Sequence, residues 1–208
     1  MSRDPERAAT QFFGGRVCLD FANTLDWRTS DEPQELIPDY GSFIAWSVRR
    51  GTLPPRAVAN LKSRAVSRPV DADAALADAF ALRAELWKIA DALREQSAAD
   101  LTRVNRMLLT LPPQPRLVKH ANAFVHDLKG TNLQEPLWPV LWSLTSVLTS
   151  SDAARLGCCQ AKGCGWFYVD ESPNRTRLWC SSEVCGNRER ARRAYAKRGR
   201  KKRIITMS

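Results

Sequence analysis

The sequence predicts a mainly α fold with a minor β content: a helical body over residues 1–152 and a small unit over residues 153–208. Three observations carry that prediction. Apolar residues recur at spacings of three and four through most of the first 150 positions, the mark of amphipathic helices. Near the C-terminal end, four cysteines fall into two pairs, Cys159 with Cys164 and Cys180 with Cys185, in a C-x4-C-x15-C-x4-C pattern. Charge divides along the same line. Residues 1–154 hold 18 Lys+Arg and 18 Asp+Glu, whereas residues 155–208 hold 14 and 4, so the net +10 of the chain belongs wholly to the second part.

Taken in order, residues 1–10 read as a disordered polar arm and residues 12–15 as an extended piece ending in a turn. Residues 17–27 are predicted helical. On that helix Asp20, Asn23 and Thr24 stand at i, i+3 and i+4 and share a face. They are candidates to line a small-ligand pocket, or to satisfy neighbouring backbone inside the fold. Cys18 reads as a small buried apolar residue. Residues 29–39, rich in charge and turn formers, read as a loop. Asp39 is placed to cap a helix over 40–50 that Gly51 closes. Pro55 suits the first turn of the next, short helix.

The longest helical pattern spans 71–97, with Leu76, Ala79, Phe80, Arg83, Leu86, Trp87, Ala90 and Leu93 at helical spacing. Ser97 and Asp100 are spaced as a capping box for a helix reaching residue 110. Residues 111–115, with three prolines, break the chain. Residues 116–129 predict a small β-hairpin. It contains both histidines, His120 and His126, which have no Cys, Asp or Glu at ligand spacing and read as ordinary residues. Residues 135–151 predict a helix with Leu137, Leu141, Leu144 and Leu148 aligned. No Gly/Ser linker follows, so the C-terminal unit is expected to pack on the body.

Zinc held by four thiolates needs two short loops, each offering two sulfurs to a point about 2.3 Å away. Paired cysteines with a mid-length spacer are the sequence form of that requirement. No histidine lies in the segment, so the site is an all-cysteine one: Cys159, Cys164, Cys180 and Cys185 around one structural Zn2+. Cys158 abuts Cys159, and two adjacent side chains seldom both reach one tetrahedral ion, which leaves its role open. Gly163 and Gly165 flank Cys164, where a metal knuckle needs unusual backbone. Residues 166–169 are β-prone, 170–174 carry turn chemistry, and 176–179 are predicted to return as a second strand. A run of strong helix formers covers 189–198. Knuckle, hairpin and helix together make a treble-clef-like layout, whose folding should depend on the metal.

At these residues the chain resembles a known family. Cys159, Cys164-Gly165-Trp166, Phe167, Asp170, Ser172, Asn174, Arg177, Trp179-Cys180 and Cys185-Gly186-Asn187-Arg188 match the CGNR zinc finger. The resemblance selects Cys159 over Cys158 as the ligand. Leu178 departs from it, standing where members usually carry a second arginine. The stretch from Phe13 to Thr24, FGGRVCLDFANT, is similar to the opening of the ABATE domain that accompanies this finger. What the two resemblances imply is a stress-induced transcription regulator.

Several classes are excluded at this level. No run of about 18 apolar residues exists to span a membrane. The first eleven residues lack the apolar core of a secretory signal, and six cysteines without one point to a reducing, cytoplasmic setting. Phosphate-binding glycine loops, a Gly-x-Ser-x-Gly elbow and His-Glu-x-x-His are all missing, and a closed four-thiolate site has no open position, so no enzyme is expected. Between Arg188 and Arg203 stand ten basic residues and one acid, Glu189, which is set to pair with Arg193. That footprint points to DNA. The candidate phosphate contacts are Arg188, Arg190, Arg192, Arg193, Lys197, Arg198 and Arg200, with residues 198–203 expected to stay disordered until they meet phosphate. Asn187 and Arg188 have a second reading, as hydrogen-bonding posts between knuckle and hairpin. The rival functions are docking to an acidic protein partner, or RNA binding if Trp166, Tyr168 and Trp179 face solvent. A small-molecule effector for the body is a further expectation, resting on Asp20, Asn23, Thr24 and the resemblance.

Overall fold

A computed structural model describes residues 11–111, 116–120 and 123–205, with backbone alone at 120, 123, 125 and 198–205. The predicted arm at 1–10 and all but the first residue of the predicted break at 111–115 lie outside the described residues.

The first helix, α1 (Val17–Ala22), is shorter than the predicted 17–27. Two polar side chains end it. Asn23 turns away to bond the distant Phe167 backbone, and the Thr24 hydroxyl donates to the Phe21 carbonyl at 2.7 Å. The chain then forms β1 (Leu25–Asp26), antiparallel to β2 (Gln34–Glu35), so the stretch read as a loop contains a strand.

Helix α2 (Tyr40–Arg49) is capped as expected: the Asp39 carboxylate accepts from the Ser42 amide at 2.6 Å, and Gly51 follows at φ +75°. Pro55 sits in the first turn of α3 (Pro55–Ser67). The long helix α4 runs over Pro69–Arg94, starting two residues before the predicted 71 because proline is tolerated in a first turn. It stops short of 97, where Gln96 takes a left-handed φ of +55°. The capping box before α5 (Thr102–Leu108) does not form. Ser97 instead donates to the Ala92 carbonyl behind it, and the Asp100 carboxylate accepts from the Thr102 amide at 2.9 Å.

Strands β3 (Leu117–His120) and β4 (Ala123–His126) make the predicted hairpin. His126 is half-buried against the Trp142 ring at 4.0 Å, and burial lowers its pKa. A 3-10 turn over Glu135–Leu137 leads into α6 (Trp138–Leu148). Glu135 is 1% exposed, and its carboxylate accepts from the amides of Gly130, Thr131 and Asn132 at 2.7, 2.7 and 3.0 Å. That buried side chain supplies hydrogen-bond partners to three successive amides of the 130–134 loop.

One apolar core joins α1, α2, α4 and α6 through residues such as Phe21, Phe43, Trp46, Leu82, Leu86, Val140 and Leu141. Two of its members, Phe167 and Val169, come from the C-terminal unit. They lie on β6 (Phe167–Val169), which pairs antiparallel with β5 (Leu156–Cys158) in the register Leu156↔Val169, Gly157↔Tyr168 and Cys158↔Phe167. The predicted partner, residues 176–179, is not a strand. The hairpin closes instead with the segment before the first cysteine pair, so the 159–166 loop between its strands carries two of the four sulfurs. Residues 176–179 wrap past as irregular chain, tied by the Gln160 amide to the Leu178 carbonyl at 3.0 Å. A π-type turn over Ser182–Gly186 opens into α7 (Asn187–Ile205). The backbone is helical to Ile205, contrary to the disorder expected from 198 onward. Lys and Arg are good helix formers, and cations complement the negative end of the helix dipole.

Candidate metal centre and basic helix

Period two along β6 builds the site. Phe167 and Val169 point into the body core, so Tyr168 points the other way, among Cys159, Cys164, Cys180 and Cys185. The Tyr168 ring lies across Gly157, where any side chain would run into it, and its hydroxyl donates to the Arg177 carbonyl. Cys158 sits opposite Phe167 and so shares the body-facing side, while Cys159, one residue on, reaches the metal side. The alternation gives the physical reason for which of the adjacent cysteines is the ligand.

The four sulfurs of Cys159, Cys164, Cys180 and Cys185 lie within 4.8 Å of one another and all are buried. Cys164 and Cys180 Sγ are 3.8 Å apart, and Cys180 and Cys185 Sγ 3.5 Å. A tetrahedron with metal–sulfur bonds of about 2.3 Å has edges of about 3.8 Å. The residues fit one structural Zn2+. Those separations are far too long for a disulfide, and all six cysteines are free. Cys18 is fully buried, and burial pushes its thiol up to about 11, in keeping with the inert role expected of it.

Each ligand loop has its own local cause. The Cys164 amide bonds the Ala161 carbonyl at 3.0 Å, closing a turn, and Gly163 and Gly165 take φ of +80° and +67°, which L residues avoid. Ser181 caps the second loop, its hydroxyl accepting from the Val184 amide at 3.2 Å, and the Gly186 amide bonds the Ser181 carbonyl. Asp170 ties the turn between the loops. Its carboxylate accepts from the Ser172 amide and hydroxyl at 2.9 and 2.6 Å and from the Arg177 amide at 2.9 Å. Burial works to raise its pKa, but these hydrogen bonds outweigh it and hold the carboxyl below the usual range. Arg177 gathers the carbonyls of Phe13, Val169, Trp179 and Cys180 and lies 4.1 Å over the Tyr168 ring.

The metal unit is bolted to the body by the stretch read as a ligand-pocket candidate. Asn23 bonds Phe167 twice, Nδ2 donating to its carbonyl and Oδ1 accepting from its amide, both at 2.8 Å. Asp20 accepts from the Gly14 amide at 2.8 Å and from Arg50 at 2.7 Å, and burial raises its pKa. Thr24 bonds Phe21 and Arg83. All three side chains are buried and engaged within the protein, which favours the second of the two readings offered for them. Sequence reasoning missed the neighbouring loop. Arg28 stacks 4.6 Å over Phe167 and donates to the Gly165 carbonyl at 3.1 Å. An Asn23→Ala substitution leaves a buried amide and a buried carbonyl unpaired, at about 1–3 kcal/mol each. Equilibrium denaturation is expected to register a loss of about 3 kcal/mol, and wild-type stability would contradict the docking role.

On α7, Arg188 is half-buried with its guanidinium 4.2 Å over the Trp27 ring. Arg190 is exposed but donates to the Ser182 carbonyl and to Asn187 Oδ1, and Asn187 donates to the Glu183 carbonyl. Glu189 is only 4% exposed. It accepts from the Lys162 amide at 3.1 Å and pairs with Arg192 at 2.8 Å, one residue before the expected Arg193. Arg193 and Lys197 are exposed and have no ion pair among the described residues. The side chains of Arg198 and Arg200 lie outside the described residues. Of the three aromatics considered for stacking, Trp166 and Tyr168 are buried, and Trp179 is half-buried with Arg190 5.7 Å over its ring.

Comparison with known proteins follows the same division. Residues 15–151 match the ABATE family model, described as "putative stress-induced transcription regulator", and residues 155–198 match the CGNR zinc finger. No curated protein matches the chain. With a four-cysteine centre where the finger model falls and the ABATE match covering most of the body, the chain belongs to the ABATE family and carries a CGNR zinc finger as its C-terminal module.

Proposed function

We propose that the protein is a cytoplasmic DNA-binding transcription regulator in which the zinc centre presents α7 to the phosphates of a duplex. One observation carries the reading: every residue from Arg190 to Lys197 is exposed, so this stretch of basic helix projects without packing on the body. A helix so polar has no apolar stripe to bury, and its ordered start comes from the metal unit beneath it. Phosphate contacts are assigned chiefly to Arg193 and Lys197, with Arg192 shared with Glu189 and with Arg198 and Arg200 continuing along the helix. Stacking of RNA bases has less support, because Trp166 and Tyr168 are buried. No reaction is assigned to the chain, since four thiolates close the coordination shell against water. Small-molecule sensing is left to other surfaces of the body, Asp20, Asn23 and Thr24 being engaged internally.

Titration of the full chain with a mixed-sequence duplex at several salt concentrations tests the reading. A log–log slope steeper than about −4 is expected for several phosphate contacts at about −0.9 each. Absence of binding at low salt would refute it. Capture of an acidic protein that survives nuclease treatment would then move the reading to a protein-docking module.

A further inference from the structure

We infer that Trp27 and Arg188 form a strut between the helical body and α7, and that Arg188 positions the basic helix instead of contacting phosphate. The inference rests on the DNA-binding reading above and narrows its contact set. Trp27 takes a left-handed φ of +54°, a conformation that a bulky residue adopts only when its surroundings impose it. The surroundings here do so. The Asp26 carboxylate accepts from the Trp27 amide at 2.8 Å, and the Trp27 carbonyl accepts from the Ser30 amide at 2.8 Å. The result is an indole held against the zinc knuckle, so close that a Cβ on Gly163 would lie 2.9 Å from Trp27 Cε3.

Arg188 covers the same ring at 4.2 Å, a cation–π contact between the first turn of α7 and the body. The next residue, Glu189, grips the knuckle itself through the Lys162 amide. The start of the helix is thus fixed on one side by the metal loop and on the other by the body. Downstream, from Arg190 to Lys197, the side chains are exposed. Direction is set in the first turn, and contact follows beyond it.

The test uses the zinc-loaded full chain as wild type, Trp27→Ala, Trp27→Phe, Arg188→Ala and the double alanine variant, each titrated with the same duplex across salt. Trp27→Ala and Arg188→Ala are each expected to weaken binding about tenfold, the cost of ordering a loosened helix on binding. The double variant should be no weaker than either single one, the salt slope should be unchanged, and Trp27→Phe should restore most of the loss. A slope shallower by about 0.9 in Arg188→Ala, with Trp27→Ala binding like wild type, would make Arg188 a phosphate contact and overturn the inference. Amide hydrogen exchange over residues 187–192 gives a readout that needs no DNA. It should quicken in Trp27→Ala and in Arg188→Ala, and unchanged exchange in both overturns the strut. If the wild type binds no duplex, the DNA reading fails, and exchange alone still decides the strut.

Discussion

Cys180→Ser, or removal of zinc by a strong chelator, is expected to lower the stability of the whole chain and not only of the finger. The finger alone has little to hold it. Its hairpin has three-residue strands, and its interior consists largely of the cysteines, Trp166 and Tyr168. In peptides of this kind, zinc binding supplies about 10–16 kcal/mol of apparent folding free energy. What extends the effect is Phe167 and Val169, which belong to the body core, together with the paired bonds from Asn23 and the Val169 amide to the Gly14 carbonyl at 3.0 Å. Melting followed by circular dichroism should shift down by about 10 °C or more, since each kcal/mol is worth about 2–4 °C at this chain length. A body transition that ignores metal loss would show that the two parts fold independently.

The second large effect is expected from Arg193→Glu with Lys197→Glu. Both side chains are exposed on α7, away from the zinc loops and without ion pairs among the described residues, so the melt should hold. Duplex binding should not. Two lost contacts flatten the salt slope by about 1.8, and repulsion adds to a loss of about a hundredfold or more at low salt. Equal loss of melting temperature and affinity would mean that these residues hold the fold and not the nucleic acid.

The metal site was legible because four-thiolate coordination demands a spacing that little else produces, and the helices because Asp39, Gly51 and Pro55 act through local backbone chemistry. The body–finger interface was not legible. Asn23 and Phe167 are 144 residues apart, and nothing local in an Asp-x-x-Asn-Thr pattern distinguishes a docking side chain from a pocket side chain. The same limit misassigned the partner of β6. Residues 176–179 look β-prone, yet Asp170 and Arg177 tie that segment into a turn and leave the strand position to Leu156–Cys158. Glu135 escaped notice for a related reason, because its value lies in three loop amides that only the fold brings to one carboxylate. The charge of α7 could be counted in advance. Which of its arginines are held by Trp27, Ser182 or Glu189 could not.

The most direct measurement is the zinc content of the purified full chain and of six variants, each carrying serine at one cysteine. One zinc per chain is expected in the wild type and in the Cys18 and Cys158 variants, and substoichiometric zinc when Cys159, Cys164, Cys180 or Cys185 is replaced. Full zinc in any of those four, or its loss with Cys158, would contradict the coordination on which the account is built.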